Sequence, residues 1–264
     1  MSGHWSEIAR RWEQVGPPLR PSEEDLAVYA AVVRELESPR ALILGVTPEL
    51  YRLPWPGAQM LAADRTRGMI EAVWPGPRNA VVCTDWTALP LECASRDIAL
   101  CDGGVHLLSY PAGQQKLASE LRRIITPGGL CILRLFVPPT TREAADDVID
   151  ELLAGRIANL NLLKLRLGMA LQESAAQGVE LRLIFNVLAN LAPSLADLAD
   201  RIGWAREHLL ALESYRDSAA RYHFVSTEAV ISMFCLSPGG FAVEKIHVPG
   251  YERCPLVVLR REDE

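Results

Sequence analysis

Glycine is scarce where a nucleotide-binding sheet would need it most. The apolar run Leu42-Ile43-Leu44 is followed by Gly45-Val46-Thr47-Pro48-Glu49, a loop with one glycine. A pyrophosphate lies directly on backbone N–H groups, which requires glycines spaced as G-x-G-x-x-G, and a P-loop requires its lysine. Neither pattern is present, so NAD, FAD and ATP sites of those kinds are disfavoured. Blocks of basic residues are also missing, and the formal net charge is −6. Nothing therefore draws the chain toward phosphate backbones or anionic lipid, and neither nucleic acid nor membrane is an expected partner. No window approaches the roughly 18 uninterrupted apolar residues of a membrane span, and the opening residues carry charges every few positions. The six cysteines, at 83, 93, 101, 131, 235 and 254, include no C-x-x-C pair and have no histidine at ligand spacing. A zinc site is not expected, and no metal is. Cys83, Cys101 and Cys131 sit in strand-like runs and read as buried, reduced thiols, which suits a cytoplasmic location.

What is present is enough apolar sequence for a large core: 264 residues, 49% of them hydrophobic. Two helices open the chain, one over 5–12 and one beginning at Ser22, where Ser22-Glu23-Glu24-Asp25 has the form of a capping box. Gly16-Pro17-Pro18-Leu19-Arg20-Pro21 separates them, since such a stretch cannot be helical. From residue 41 the pattern changes to short aliphatic runs, each followed by turn residues and a helical stretch. The runs cover 41–44, 58–63, 79–84, 97–101 and 130–137, and several are continuously apolar, as parallel strands covered on both faces are. Pro127-Gly128-Gly129 reads as a turn before the fifth. Residues 142–215 carry no strand signal and read as three or four helices, broken near Gly178 and Pro193. Ser226 starts a further short helix, and runs at 241–248 and 255–259 close the chain.

The expected fold is thus α/β and Rossmann-like: a seven-stranded, mostly parallel sheet with an antiparallel last strand, helices on both faces and a helical insertion after strand five. The short connection between the last two runs forbids a parallel crossover between them. One domain over 1–264 is expected, comprising N-terminal helices (1–40), ligand-binding βα units (41–141), a helical cover (142–223) and a closing helix with a strand pair (224–264). A helical block of that length is a subdomain or a cover rather than a loop.

Three consecutive runs end beside an aspartate: Ala63-Asp64-Arg65, Thr84-Asp85-Trp86 and Cys101-Asp102-Gly103. Ligands of open α/β sheets bind outside the carboxyl ends of the strands, so the three carboxylates would ring one crevice. An acid after strand two accepts hydrogen bonds from ribose hydroxyls; Asp64 can equally cap the helix that follows it. An acidic crevice suits a cationic ligand such as a sulfonium bearing an ammonium group, and repels phosphate.

These residues resemble the class I S-adenosylmethionine-dependent methyltransferases, within them a bacterial branch whose first motif reads L-G-x-T-P-E. The resemblance runs over about residues 5–260 and includes Trp12, Pro18-Leu19-Arg20-Pro21-Ser22, Asp64-Arg65, Asp85-Trp86, Asp102-Gly103, Pro127-Gly128-Gly129 and Arg253-Cys254-Pro255-Leu256. It implies S-adenosylmethionine as cofactor. Gly45 and Thr47 would meet its methionine part, Asp64 with Arg65 its ribose and Asp85 with Trp86 its adenine, while the stretch from Asp102 and Gly103 to His106 would flank the methyl group. The sequence departs from the family in its first motif, where bulkier residues replace two of three glycines. Thr47 could donate to the cofactor carboxylate in compensation, and Arg20 could reach it from the N-terminal segment.

On the acceptor side the candidates are His106 as a general base, since imidazole titrates near neutrality, and Arg134, Tyr222 and His223 as substrate-binding residues, with Tyr215 beside them. Arg134 could instead form a core ion pair. The stripe Ile157, Leu160, Leu163, Leu167 and Leu171 marks a helix face for core packing, a cover or a dimer contact. The block is expected to close over the methyl group and to pack on helices carrying Trp5, Trp12 and Tyr29. The implied function is methyl transfer to an oxygen or nitrogen of a small molecule by a monomer or homodimer. Its rivals are a methyltransferase-like binding or interaction protein without turnover and, less favoured, a nicotinamide oxidoreductase.

Overall fold

A computed structural model describes residues 3–235 and 240–263. Its strands are β1 (Arg40–Leu44), β2 (Gln59–Asp64), β3 (Val81–Cys83), β4 (Arg96–Asp102), β5 (Ile125–Arg134), β6 (Val179–Glu180), β7 (Arg221–Tyr222), β8 (Phe241–His247) and β9 (Leu256–Arg261). The helices are α1 (Gly3–Arg10), α2 (Glu23–Arg34), α3 (Pro48–Tyr51), α4 (Arg67–Val73), α5 (Ala112–Ile124), α6 (Ala145–Leu153), α7 (Leu160–Leu171), α8 (Leu181–Ala189), α9 (Leu195–Ile202), α10 (Arg206–Leu210) and α11 (Thr227–Cys235).

Seven strands form one sheet in the order β3-β2-β1-β4-β5-β9-β8. Strands β1 to β5 pair in parallel, and β9 is antiparallel to both neighbours, as its short link to β8 requires. The order reverses between β1 and β4, so the switch point lies beside Gly45 and Asp102. Alternation along β1 sorts its side chains: Leu42 and Leu44 pack toward α5 and α11, while Ala41 and Ile43 pack toward α2, α3 and α4. Helices therefore cover both faces.

Helix α2 begins as its sequence announces. Ser22 accepts from the Asp25 N–H, and the Asp25 carboxylate accepts from the Ser22 N–H. Strand β3 is shorter than its apolar run, because Arg78–Ala80 turn as a 3-10 helix and leave Val81–Cys83 as an edge strand. Cys83 is consequently exposed, contrary to the buried thiol expected; Cys101 and Cys131 are buried. Pro127-Gly128-Gly129 falls within β5, where the pairing with β4 is irregular, so the expected turn is realised as a bulge.

Between β5 and α11 the chain builds a subdomain with its own core, including Val148, Leu152, Leu163, Leu167, Ile184 and Leu198. It holds five helices, α6 to α10, where three or four were expected. It also contains a strand pair, β6 with β7, that the sequence did not announce. Two-residue strands are too short for a periodic signal. A smaller cluster, with Phe136, Leu165, Met169 and Phe224, joins this subdomain to the sheet.

Candidate functional site

At the carboxyl ends of β1, β2 and β4 lies a pocket of about 960 Å³, its open mouth included. Its floor is the sheet edge: Leu44, Gly45, Val46 and Thr47 after β1, Asp64 at the end of β2, and Asp102, Gly103 and Gly104 after β4. Its near wall is N-terminal, from Trp5, Ile8, Trp12 and Val15. Its roof comes from the helical subdomain through Lys164, Leu165, Ile184, Tyr215 and Tyr222. A smaller chamber adjoins it, lined by the polar side chains of Arg65, Thr66 and Asp85 and by Leu108, and the two share Trp5, Asp64, Trp86 and Leu107. The subdomain thus stands over the strand ends. Trp5 and Trp12 join it there, whereas Tyr29 is wholly buried in the core against the sheet.

Gly45 adopts φ +96° as its N–H turns back to the Ala63 carbonyl at 2.8 Å, a conformation that favours glycine. The Trp86 indole donates to the same carbonyl at 2.6 Å and crosses the strand ends: a Cβ on Gly45 would lie 3.8 Å from its ring, and one on Gly104 2.9 Å. Gly103, at φ +56°, passes under the Phe136 ring, where a Cβ would stand 2.6 Å away. Thr47 is buried in the pocket wall and is the N-cap residue of α3, although its hydroxyl makes no cap bond.

Asp64 stands at the junction of the two chambers. One carboxylate oxygen accepts from the Thr66 N–H at 2.7 Å, a turn just ahead of α4 whose N-cap is Thr66, so Asp64 does not cap the helix as the sequence allowed, and no salt bridge engages the group among the described residues. Burial raises its pKa from 3.8 to about 6, against the opposing pull of the Thr66 N–H and Arg65. Asp85 is exposed and turns back on Thr87, whose N–H and hydroxyl each donate at 2.7 Å and hold its carboxyl below the usual range.

Several candidates take other roles. Asp102 accepts from the fully buried Arg134 guanidinium, which also donates to the Pro18 carbonyl at 2.9 Å and lies 3.7 Å from Asp25. Arg134 is therefore a core ion-pair partner that ties β5 to the N-terminal segment, and it does not line the pocket. Arg20 bonds Glu49 and the Val15 carbonyl and lies over the Trp12 ring, so it braces the loop after β1. His106 is buried, its ring stacked 5.3 Å from Phe224 and edge-on to Tyr222 at 4.7 Å. Burial first, then the Arg134 and His223 charges, push its pKa down to about 3, too low for a general base at neutral pH. His223 lies against the Ala175 carbonyl at 2.8 Å and outside the pocket lining, although its N–H meets the His106 carbonyl at 2.8 Å. Tyr222 lines the pocket and hydrogen-bonds Tyr215.

Sequence reasoning missed Lys164. It lies between Leu163 and Leu165 in a leucine-rich run, where a single lysine reads as the wet side of a helix. No group of three His, Cys, Asp or Glu side chains able to hold a metal occurs among the described residues, and none of their helices is long and apolar enough to cross a membrane.

The donor set suits a long ligand with a polar adenosine end, a central diol and a cationic sulfonium. Asp64 sits where both chambers meet, Asp85 lies in the smaller one, and the larger one holds the buried Trp12 indole N–H, which has no acceptor among the described residues. Residues 42–133 match the methyltransferase domain family. Among curated proteins, none matches the chain. A Rhodobacter sphaeroides protein provisionally named as a Zn-dependent alcohol dehydrogenase superposes with a TM-score of 0.66 at 16% identity, over 98% of this chain and 97% of its own. A Pyrococcus horikoshii OT3 protein does so at 0.54 and 13%, over 96% and 99%. A Methanosarcina mazei S-adenosylmethionine-dependent methyltransferase does so at 0.53 and 10%, over 88% and 98%. At these identities the superpositions establish the shared fold.

Proposed function

We propose that the chain, whose residues 42–133 match the methyltransferase domain family, uses S-adenosylmethionine to methylate an oxygen or nitrogen of a small molecule bound beneath the helical subdomain. The observation that carries this reading is the pocket itself: it begins at the strand ends and is roofed by Leu165, Ile184, Tyr215 and Tyr222. An enclosed, mostly apolar chamber admits a small acceptor and excludes water.

When bound, the cofactor supplies an electrophilic methyl group on a sulfonium. Asp64 would hold the ribose hydroxyls, Arg65 and Asp85 would lie along the adenosine end, and Gly45, Thr47 and the Trp12 N–H would meet the amino-acid end. Trp86, which lies across Gly45 and Gly104, would stack on the ligand or give way to it. Gly103 and the paired Asp102 shape the floor beside the acceptor. With His106 neutral and buried, the reading relies on alignment and desolvation rather than on a histidine base. One domain over 1–264, with 142–223 as its cover, and a cytoplasmic setting belong to the same proposal. The net charge of −6 argues against nucleic acid as substrate.

The test is paired. Calorimetry with S-adenosylhomocysteine measures the cofactor site, and S-adenosylhomocysteine release from S-adenosylmethionine across a panel of small phenols, amines and acids measures turnover. Tight binding with no release from any acceptor would favour a binding protein that keeps the sheet without catalysis.

A further inference from the structure

We infer that the chamber beneath the cover is built for a planar aromatic acceptor carrying an acidic oxygen, and that Lys164 is the side chain that holds that oxygen. The inference rests on the methyl-transfer reading and names the substrate class for the same site.

The first argument is charge. Three lining side chains carry full charges near neutral pH: Asp64, Asp102 and Lys164. Asp102 is neutralised by Arg134, and Asp64 stands at the junction with the smaller chamber, where a ribose would lie. Lys164, projecting from α7, has no salt bridge among the described residues; its ammonium rests 5.9 Å from the centroid of the Tyr215 ring. An ammonium in apolar surroundings is costly without a partner. Burial draws its pKa from 10.5 to about 8, so it remains mostly protonated at neutral pH. A ligand acid entering the chamber supplies the missing counter-charge in a site where charge-assisted hydrogen bonds are strong.

The second argument is shape. Phe224 and the neutral His106 lie parallel within 6°, Phe136 tilts against His106 at 4.9 Å, and Tyr222 meets it edge-on. These rings brace one another, and with Trp12 and Trp86 they give the chamber an aromatic lining that favours a flat, apolar body. Tyr215 and Tyr222, hydrogen-bonded to each other, supply further polar oxygens beside the ammonium.

The third argument is access. Lys164, Tyr215, Ile8 and Val15 line both the chamber and an outer groove that also contains Glu7, Arg11 and His208, the Glu7 carboxylate being paired with Arg10 and Arg11. The ammonium thus stands where the groove opens into the chamber, able to meet an acid whose ring lies inside.

The test uses the full-length protein and two probes of nearly equal shape, 4-hydroxybenzoate and 4-hydroxybenzamide. Each is titrated calorimetrically with and without saturating S-adenosylhomocysteine. The wild type is expected to favour the acid by about tenfold or more, the scale of a hydrogen bond to a charged partner. Lys164→Met should abolish the preference and Lys164→Arg should keep most of it, with the affinity for S-adenosylhomocysteine unchanged in both and thermal melts confirming the fold. The preference should also fade as pH rises through about 8. Equal binding of acid and amide by the wild type, no binding of either, or a preference that survives in Lys164→Met would overturn the inference. If S-adenosylhomocysteine itself failed to bind, the methyl-transfer reading would fall, while the acid preference measured without it would still decide the role of Lys164.

Discussion

Replacing Asp64 by asparagine should make the protein more stable and its cofactor site worse. Asparagine keeps an oxygen for the Thr66 N–H that now bonds Asp64 at 2.7 Å, so the turn ahead of α4 survives the change. What disappears is a carboxylate whose pKa burial raises from 3.8 to about 6. The folded protein holds that proton up to about pH 6, whereas the unfolded chain releases it near 3.8. Stability is therefore lost as pH rises through this window, and the cost stands in full above it. At about 1.4 kcal/mol per pH unit the ceiling is about 3 kcal/mol, and partial exposure at the junction of the chambers reduces it to about 1–2 kcal/mol. Asp64→Asn should accordingly gain about 1–2 kcal/mol in urea denaturation near pH 7.5 and almost nothing near pH 4. Affinity runs the other way. Ribose hydroxyls donate to the ionised group, so the variant should bind S-adenosylhomocysteine about tenfold to a hundredfold more weakly. Wild-type affinity should fall as pH drops through 6. A variant that unfolds like the wild type at both pH values and binds as tightly would refute the reasoning.

Arg134→Met should lose about 3–5 kcal/mol of stability, because it strands the buried Asp102 carboxylate, and adding Asp102→Asn should restore part of it; equal stability in chemical denaturation would return Arg134 to the acceptor site. His106→Leu should leave the shape of the pH–rate profile intact, since a group titrating at about 3 is neutral throughout the working range. Loss of an inflection near pH 6.5 would restore His106 as a base. Thiol labelling of the native protein should modify Cys83 and Cys93 quickly and Cys235 more slowly, leaving Cys101, Cys131 and Cys254 inert until urea is added; rapid reaction at any of those three would contradict their burial.

The parallel strands, the antiparallel close and the capping box of α2 were legible in the sequence because each depends on residues near one another in the chain. Aliphatic runs mark strands buried on both faces, a short connection sets the direction of β9, and a Ser-to-Asp spacing of three marks a helix start. The place where the helical subdomain leaves the sheet was legible too, since a chain leaving β5 leaves from the edge where ligands bind. The role of each polar side chain was not, because it depends on partners far away in sequence. Arg134 looks like a site residue until Asp102 and the Pro18 carbonyl close around it, 32 and 116 residues distant. His106 looks titratable until Phe136, Tyr222 and Phe224 enclose it. Lys164 looks solvated until the N-terminal segment covers its side of α7.

That segment also explains how a first loop with one glycine can serve a cofactor site. A glycine-rich loop obtains its shape from backbone freedom; here the shape is held by bracing. Gly45 takes the one left-handed turn, Pro48 fixes the start of α3, and Glu49 is held by Arg20, which in turn lies over Trp12. On the other side Trp86 shares the Ala63 carbonyl with the Gly45 N–H. The brace and the wall are the same piece of chain, because Trp12 and Val15 also line the pocket and both their carbonyls accept from Arg20. The loop at the cofactor site is therefore coupled to the closure of the chamber. Displacing the N-terminal segment would loosen the bracing of Glu49 and open the wall beside Lys164 together, so the proposed cofactor and acceptor sites would form as one unit.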